Sequence, residues 1–447
     1  MRCKSATLIV LGLLAGSAST QAAEKADVPG TLDTARYHVE YVKLGAENLD
    51  GLLYEPKTKG PNSHIALVSV FPRAGFGPGA PEELAARGYS VLKIQPYVEH
   101  DSPYDGVAEA SAGIAYMRTL PGVDRVLIMG HSGGAHLAAF YTNVALNGPK
   151  ACQHPALLYP CDISKVSHLS KPDGVVLLDP GVGPINTALS VDPAYIGDKR
   201  TRTDLDMFSP TNGYDPKVGT AVYSPEFLKR YYAAQSARNM VIVDKARARL
   251  KQVEQGKGNF SKDEPLAIPG MFNDVNGPSP SKTQVSLLSH TKQAHLVLKP
   301  DDTIATEVVH SVRPPVDPEA AALVGSLCCY SLNYSLRAYL ANDAIRTTKD
   351  FAVTDDDVVG IDWKSSVDSP IANAEGITVP TIVLVNTCYR LVVTGEILYD
   401  HIAAKDKTYV ASEGALHGFT PCRPEYGDTK KRAFDFVDNW LAKPGRF

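Results

Sequence analysis

Apolar and polar positions alternate along residues 36–44, with Tyr37, Val39 and Tyr41 on one face and His38 and Glu40 on the other. Period two is the pattern of a half-buried strand. A second strand is predicted over 49–55. The third run differs: Ile65-Ala66-Leu67-Val68-Ser69-Val70-Phe71 is nearly all apolar, which predicts a strand covered on both faces. From there strand and helix take turns. A helix over 81–87 stops at Gly88, a strand follows over 90–94, and a helix over 107–120 places Ala108, Ala112, Ala115 and Tyr116 at helical spacing. A strand over 125–129, a helix over 135–146 and a strand over 175–178 continue the series. The alternation predicts an α/β fold with a doubly wound, mostly parallel sheet.

The rhythm then breaks for about 190 residues. Residues 224–255 read as one long helix, 269–280 as loop, 295–298 with 306–312 as a short hairpin, and 316–341 as helix again. Sheet rhythm resumes with a strand over 379–385, a helix over 395–403, a strand over 407–411 and a closing helix over 428–441. Strands on both sides are needed to complete one sheet. The expected organisation is therefore a core of 24–180 and 370–447 carrying a mainly helical insertion, 181–369.

Arg2 and Lys4 precede an apolar run from Ala6 to Ala15, and small residues lead to Ala22 and Ala23. This layout predicts a cleaved leader over 1–23 and a secreted or periplasmic protein. The run is too short to span a bilayer, and no later stretch reaches that length. Export leaves six cysteines: Cys152, Cys161, Cys328, Cys329, Cys388 and Cys422. An even number in an oxidising compartment predicts disulfides. Cys152 with Cys161 is the local pair, while adjacent Cys328 and Cys329 either bridge or stay reduced. Paired CxxC spacing is missing, so zinc is not expected. Asp355-Asp356-Asp357 lacks the spaced oxygens of a calcium loop and reads as a solvated turn. Hydrophobic residues at 44% and a formal charge of −4 describe an ordinary globular chain without a basic footprint for nucleic acid.

The candidate chemistry lies in Gly130-His131-Ser132-Gly133-Gly134. A serine alcohol attacks a carbonyl only with a base in reach, a group orienting that base, and donors for the oxyanion that forms. G-x-S-x-G between a strand and a helix places serine on a sharp turn, and glycines two before and two after let the turn close. The backbone N–H of Gly133 then becomes an oxyanion donor. His131 and His136 read as structural.

This motif in its strand–turn–helix frame resembles the α/β-hydrolase family of serine esterases and lipases, over residues 36–180 and 376–445. The resemblance implies an eight-stranded, mostly parallel sheet, a lid formed by the insertion 181–369, and a Ser…acid…His order. His417, in Gly414-Ala415-Leu416-His417-Gly418-Phe419, lies where family members keep the catalytic histidine. Where many relatives keep the acid, this chain has Asn386-Thr387-Cys388-Tyr389-Arg390, and Tyr389 is not an anion near neutral pH. Asp179, ending strand 175–178, is the first alternative. Glu396 is the second, and a residue of the insertion the third. The second oxyanion donor is expected after strand 64–71, from Arg73 or Ala74, with Arg73 preferred. A Cys388–Cys422 bridge would brace the His417 loop.

Two rival readings fit parts of the sequence. Gly75-Phe76-Gly77-Pro78-Gly79-Ala80 matches a dinucleotide fingerprint, but no acid ends the next strand at Ile94-Gln95-Pro96-Tyr97. A non-catalytic binding protein on the same fold is the second. The expected function is hydrolysis of a small or medium ester, lactone or thioester, without cofactor or metal. Tyr231, Tyr232, Tyr330, Tyr334 and Tyr339 either line the substrate pocket or pack the lid.

Overall fold

The computed structural model describes residues 31–45, 49–70, 79–94, 106–271, 279–315 and 331–447. The leader, Arg73, the 75–80 fingerprint up to Pro78, and the pair Cys328 and Cys329 lie outside these residues.

Eleven strands form the main sheet. In chain order they are β1 (Thr31–Asp33), β2 (Tyr37–Lys43), β3 (Asp50–Pro56), β4 (Ile65–Val70), β5 (Ser90–Ile94), β6 (Arg125–His131), β7 (Gly174–Leu178), β8 (His290–Leu298), β9 (Ile304–His310), β10 (Thr381–Asn386) and β11 (Lys407–Ser412). Their spatial order is β1-β2-β3-β5-β4-β6-β7-β10-β11-β8-β9. From β5 to β8 every neighbouring pair is parallel, and the outer pairs are antiparallel. The chain is an α/β protein with a mostly parallel sheet covered by helices on both faces.

Alternate residues of the central strands supply two cores. Val126 and Ile128 of β6 join Val175, Leu177, Val383 and Val385 on one face, packed by Ala135, Ala138 and Phe140 of the helix Gly134–Asn147. Leu127 and Met129 join Val176, Leu178, Ile382 and Leu384 on the other face, packed by Phe434, Val437 and Leu441 of the helix Thr429–Leu441. This is why these strands read as unbroken apolar runs. Truncating one such residue, Leu127→Ala, costs about 2–5 kcal/mol.

The eight predicted strands are all present, but the sheet is larger than eight. β1 pairs with β2, and the hairpin β8–β9 from within 181–369 adds two strands at the far edge through β11. Part of the expected insertion is thus continuous with the core sheet. Its long helix is Pro225–Glu254, started by Ser224, whose hydroxyl accepts from the Phe227 N–H. The helix expected over 316–341 is not continuous. Ser331–Ser335 is a strand paired with Pro265–Pro269, so a tertiary partner overrides local propensity there. Tyr231, Tyr232 and Tyr339 are fully buried in side-chain clusters of the insertion rather than lining an open pocket. Tyr334 is partly buried against the second of these, and Tyr330 lies outside the described residues.

Cys152 stands at disulfide distance from Cys161, and Cys388 from Cys422. The first closes a short loop beside the core. The second joins the loop after β10 to the loop after β11. Among the described residues no helix is long and apolar enough to cross a membrane.

Candidate active site

β6, β7, β10 and β11 are parallel neighbours, so their carboxyl ends share one edge of the sheet. Ser132 follows β6, Asp179 follows β7, Tyr389 lies just beyond β10, and His417 lies beyond β11. Topology alone therefore brings these four residues to one edge, the usual place for a site in such a sheet.

Ser132 occupies the left-handed region, at φ 54°. A non-glycine residue there is strained by about 1–3 kcal/mol and persists only where its surroundings hold it. Here the Ser132 N–H donates to the Leu178 carbonyl at 3.0 Å, and the Ser132 carbonyl accepts from Gly181 at 2.9 Å and Ala135 at 3.1 Å. Gly130 is required by the closeness of this turn: a Cβ on it would lie 2.4 Å from the Gly134 carbonyl oxygen. The helix Gly134–Asn147 begins immediately after, with Gly133 at its N-terminus. Partial positive charge and N–H groups gather there.

Asp179 is also at positive φ, 39°, and its side chain is fully buried. Its Oδ1 accepts the Asn386 N–H at 3.0 Å, and its Oδ2 lies 2.5 Å from His417 Nδ1. Burial pushes this carboxyl above its ordinary range, opposed by the His417 and Asn386 contacts and the Arg390 charge. A carboxylate only accepts, so Nδ1 carries the proton and donates it. The basic lone pair is then on Nε2.

The structure brings His417 to Asp179 and not to Glu396. Glu396 is buried in the helix Val392–His401, 2.7 Å from His295 Nε2, and accepts the N–H groups of Lys292 and Gln293. Burial pushes its carboxyl up, but the His295 ring and the two N–H groups hold it below its usual range. Glu396 therefore ties strand β8, next to the edge strand β9, to the core. Its contacts lie at the bulge between His290 and Ala294.

Three contacts around His417 escaped sequence reasoning. Tyr389 stacks on the imidazole, ring centroids 4.4 Å apart and planes 22° from parallel. His131 packs against it, centroids 4.7 Å apart, and its Nε2 donates to the His417 carbonyl at 3.0 Å. Burial and the neighbouring His417 ring push the His131 imidazole down to about 4, so it is neutral at ordinary pH. Asn386 Nδ2 donates to the Leu416 carbonyl at 2.9 Å. The loop itself turns at Gly414, φ 73°, where a Cβ would overlap the Tyr426 ring at 1.9 Å. Only the glycine in 414–418 and the residue before Ser132 hinted at these roles. His136 is structural as expected, 3.2 Å from Asp368 at Nδ1 and accepting the Gly183 N–H at Nε2.

The arrangement holds a basic imidazole nitrogen, oriented by a buried carboxylate, at the sheet edge that also carries a strained serine and a helix N-terminus. That set supports proton removal from a hydroxyl and stabilisation of a developing oxyanion.

No family model and no curated protein matches the chain. Solved structures do. The chain is similar to DcsB, solved in complex with its substrate analogue, at 12% identity over 91% of this chain and 98% of that one, with a TM-score of 0.39. It is similar to EstE1, a thermostable carboxylesterase cloned from a metagenomic library, at 13% identity over 91% and 88%, TM-score 0.38. A monoacylglycerol lipase from Paleococcus ferrophilus is similar at 15% identity over 84% and 93%, TM-score 0.32.

Proposed function

We propose that this chain is a serine hydrolase that cleaves a small or medium carboxylic ester, lactone or thioester through an acyl-enzyme on Ser132. The observation that carries the reading is the 2.5 Å contact between His417 Nδ1 and the buried Asp179, at the edge where Ser132 sits on its strained turn.

His417 Nε2 takes the Ser132 Oγ proton as the oxygen bonds to the substrate carbonyl carbon. The carbonyl oxygen becomes an oxyanion facing the Gly133 N–H, with Arg73 assigned as the second donor. The tetrahedral adduct collapses, the C–O bond to the leaving group breaks, and the alcohol departs with the proton from the His417 imidazolium. Water, deprotonated by the same nitrogen, then attacks the acyl-enzyme. It releases the acid and restores Ser132. Asp179 keeps the ring in one tautomer and stabilises the imidazolium throughout. Residues 181–369 act as the lid that roofs the site, apart from the β8–β9 hairpin. The positive head and apolar run before residue 23, with the two cysteine pairs, support export to an oxidising compartment.

The test is a panel of p-nitrophenyl acyl esters of graded length, with lactones beside it. Turnover of at least one class is expected, with Ser132→Ala lowering kcat by about 10⁶-fold. Hydrolysis at equal rates by Ser132→Ala would refute the reading.

A further inference from the structure

A cleft of about 360 Å³ lies at the far end of the helix that follows Ser132. Asn143 and Asn147, from the last turns of Gly134–Asn147, line one side. At 1.5 Å per residue they stand roughly 14–20 Å along the helix from its start beside Ser132. His154 and Leu157 line a second side, from the loop that the Cys152–Cys161 pair closes. Residues 364–376, the approach to β10, supply the third. The volume falls in the range of small-molecule sites, about 300–1,000 Å³.

The charges of the lining cancel. Lys364 and Glu375 are paired at 2.7 Å, both partly exposed, and the lining holds no other carboxylate, lysine or arginine. A cation or an anion would meet its own sign as closely as its opposite. The pair instead sets an N–H donor directly beside a carboxylate acceptor. Neighbouring hydroxyls on a sugar ring have a similar spacing, and each both donates and accepts.

Three more polar groups extend this pattern. Asn147 uses Nδ2 on Asn143 and on the Gly376 carbonyl, which leaves Oδ1 as an acceptor. His154 Nδ1 accepts the Ala156 N–H, so its ring proton is on Nε2, a donor. Ser366 is buried, and its Oγ has no hydrogen-bond partner. A buried hydroxyl in that state is costly until something meets it. Leu157 and Val367 add apolar surface, which suits the C–H face of a ring.

We propose that this cleft binds one pyranose ring of a neutral sugar, either free or at the end of a glycan. Glu375 accepts from one ring hydroxyl and Lys364 donates to its neighbour. Asn147, His154 and Ser366 meet the remaining hydroxyls. The site is separate from the chemistry at Ser132, and its test reads binding rather than turnover.

The test is calorimetric titration of the purified full chain with glucose, galactose, mannose and N-acetylglucosamine, beside maltotriose, cellotriose and chitotriose. At least one is expected to bind with a Kd of about 10 mM or tighter. Equal affinity for a sugar and its trimer assigns the free sugar. Tighter binding of the trimer assigns a glycan end. Glu375→Gln and Lys364→Gln are each expected to weaken binding about five- to tenfold, the worth of one charge-assisted hydrogen bond. Ser366→Ala is expected to weaken it about threefold or more without lowering the melting temperature, because the hydroxyl it removes is unpartnered. In the wild type, bound sugar should slow amide exchange in 147–157 and 364–376. Three results overturn the proposal: no binding of any sugar in the panel, affinity unmoved in both Glu375→Gln and Lys364→Gln, or protection at the Ser132 edge in place of these segments.

Discussion

The ring of Tyr389 lies on the face of the His417 imidazole, 4.4 Å away and within 22° of parallel. Tyr389 occupies the loop position where an acid was expected. The Asp179 carboxylate reaches the edge of the same imidazole from the end of β7, so the ring is held along its plane by Asp179 and across its face by Tyr389.

Tyr389→Phe keeps the stacked face and is expected to retain kcat within about threefold, while Tyr389→Ala loses about 0.5–1.5 kcal/mol of packing, or roughly two- to tenfold in kcat. Steady-state kinetics on any cleaved ester checks this. Equal losses in both variants would assign the effect to the phenol rather than the ring face.

Asp179→Asn and Glu396→Gln separate the two carboxylates. Asp179→Asn is expected to lower kcat by about 10⁴-fold in a folded protein. Glu396→Gln is expected to cost about 1–3 kcal/mol of stability through its lost charge-assisted bonds, with turnover of the folded enzyme within a few fold. Denaturant melts and kinetics on the same preparations check both. The reverse pattern would return the acid to Glu396.

Much of this was legible in residue pattern. Apolar runs such as Leu67-Val68 and Leu127-Ile128 announced strands covered on both faces, because the two cores use alternate residues of the same strands. Ser132 was legible because the turn demands glycine at 130. Residue pattern ranked Asp179 ahead of Glu396 but did not show which carboxylate meets His417. That contact is set by the pairing of β7 with β10 across 207 residues, which delivers the Asn386 N–H to Asp179 Oδ1, and by the positive φ of Asp179. The hairpin β8–β9 was visible as a hairpin, but not as part of the main sheet. Its docking depends on Glu396 accepting from Lys292 and Gln293, contacts made between distant segments.

The Cys388–Cys422 pair spans 34 residues and ties the Tyr389 loop to the His417 loop. Replacing both cysteines by alanine is expected to cost about 3–4 kcal/mol by the loop-closure argument. Amide exchange at 414–420 should rise more than exchange in β6. Unchanged stability and exchange would show that the pair braces nothing.

The neutral His131 sets a pH dependence. Its folded value, about 4, is below the unfolded value. The unfolded chain therefore binds the extra proton first, and stability present above about pH 6.5 falls as pH drops toward about 4. His131→Gln removes this titration while offering the His417 carbonyl an N–H donor. The expected result is a flatter stability profile between those limits. An unaltered profile would place the acid sensitivity elsewhere.

The central claim is that Ser132 is an activated nucleophile, and a fluorophosphonate probe tests it most directly. Intact-mass and peptide analysis should show one phosphonyl adduct on Ser132, formed rapidly in the wild type, slowed by orders of magnitude in His417→Ala and Asp179→Asn, and missing in Ser132→Ala. A folded wild-type protein that stays unlabelled, or labels at a residue other than Ser132, would contradict the account.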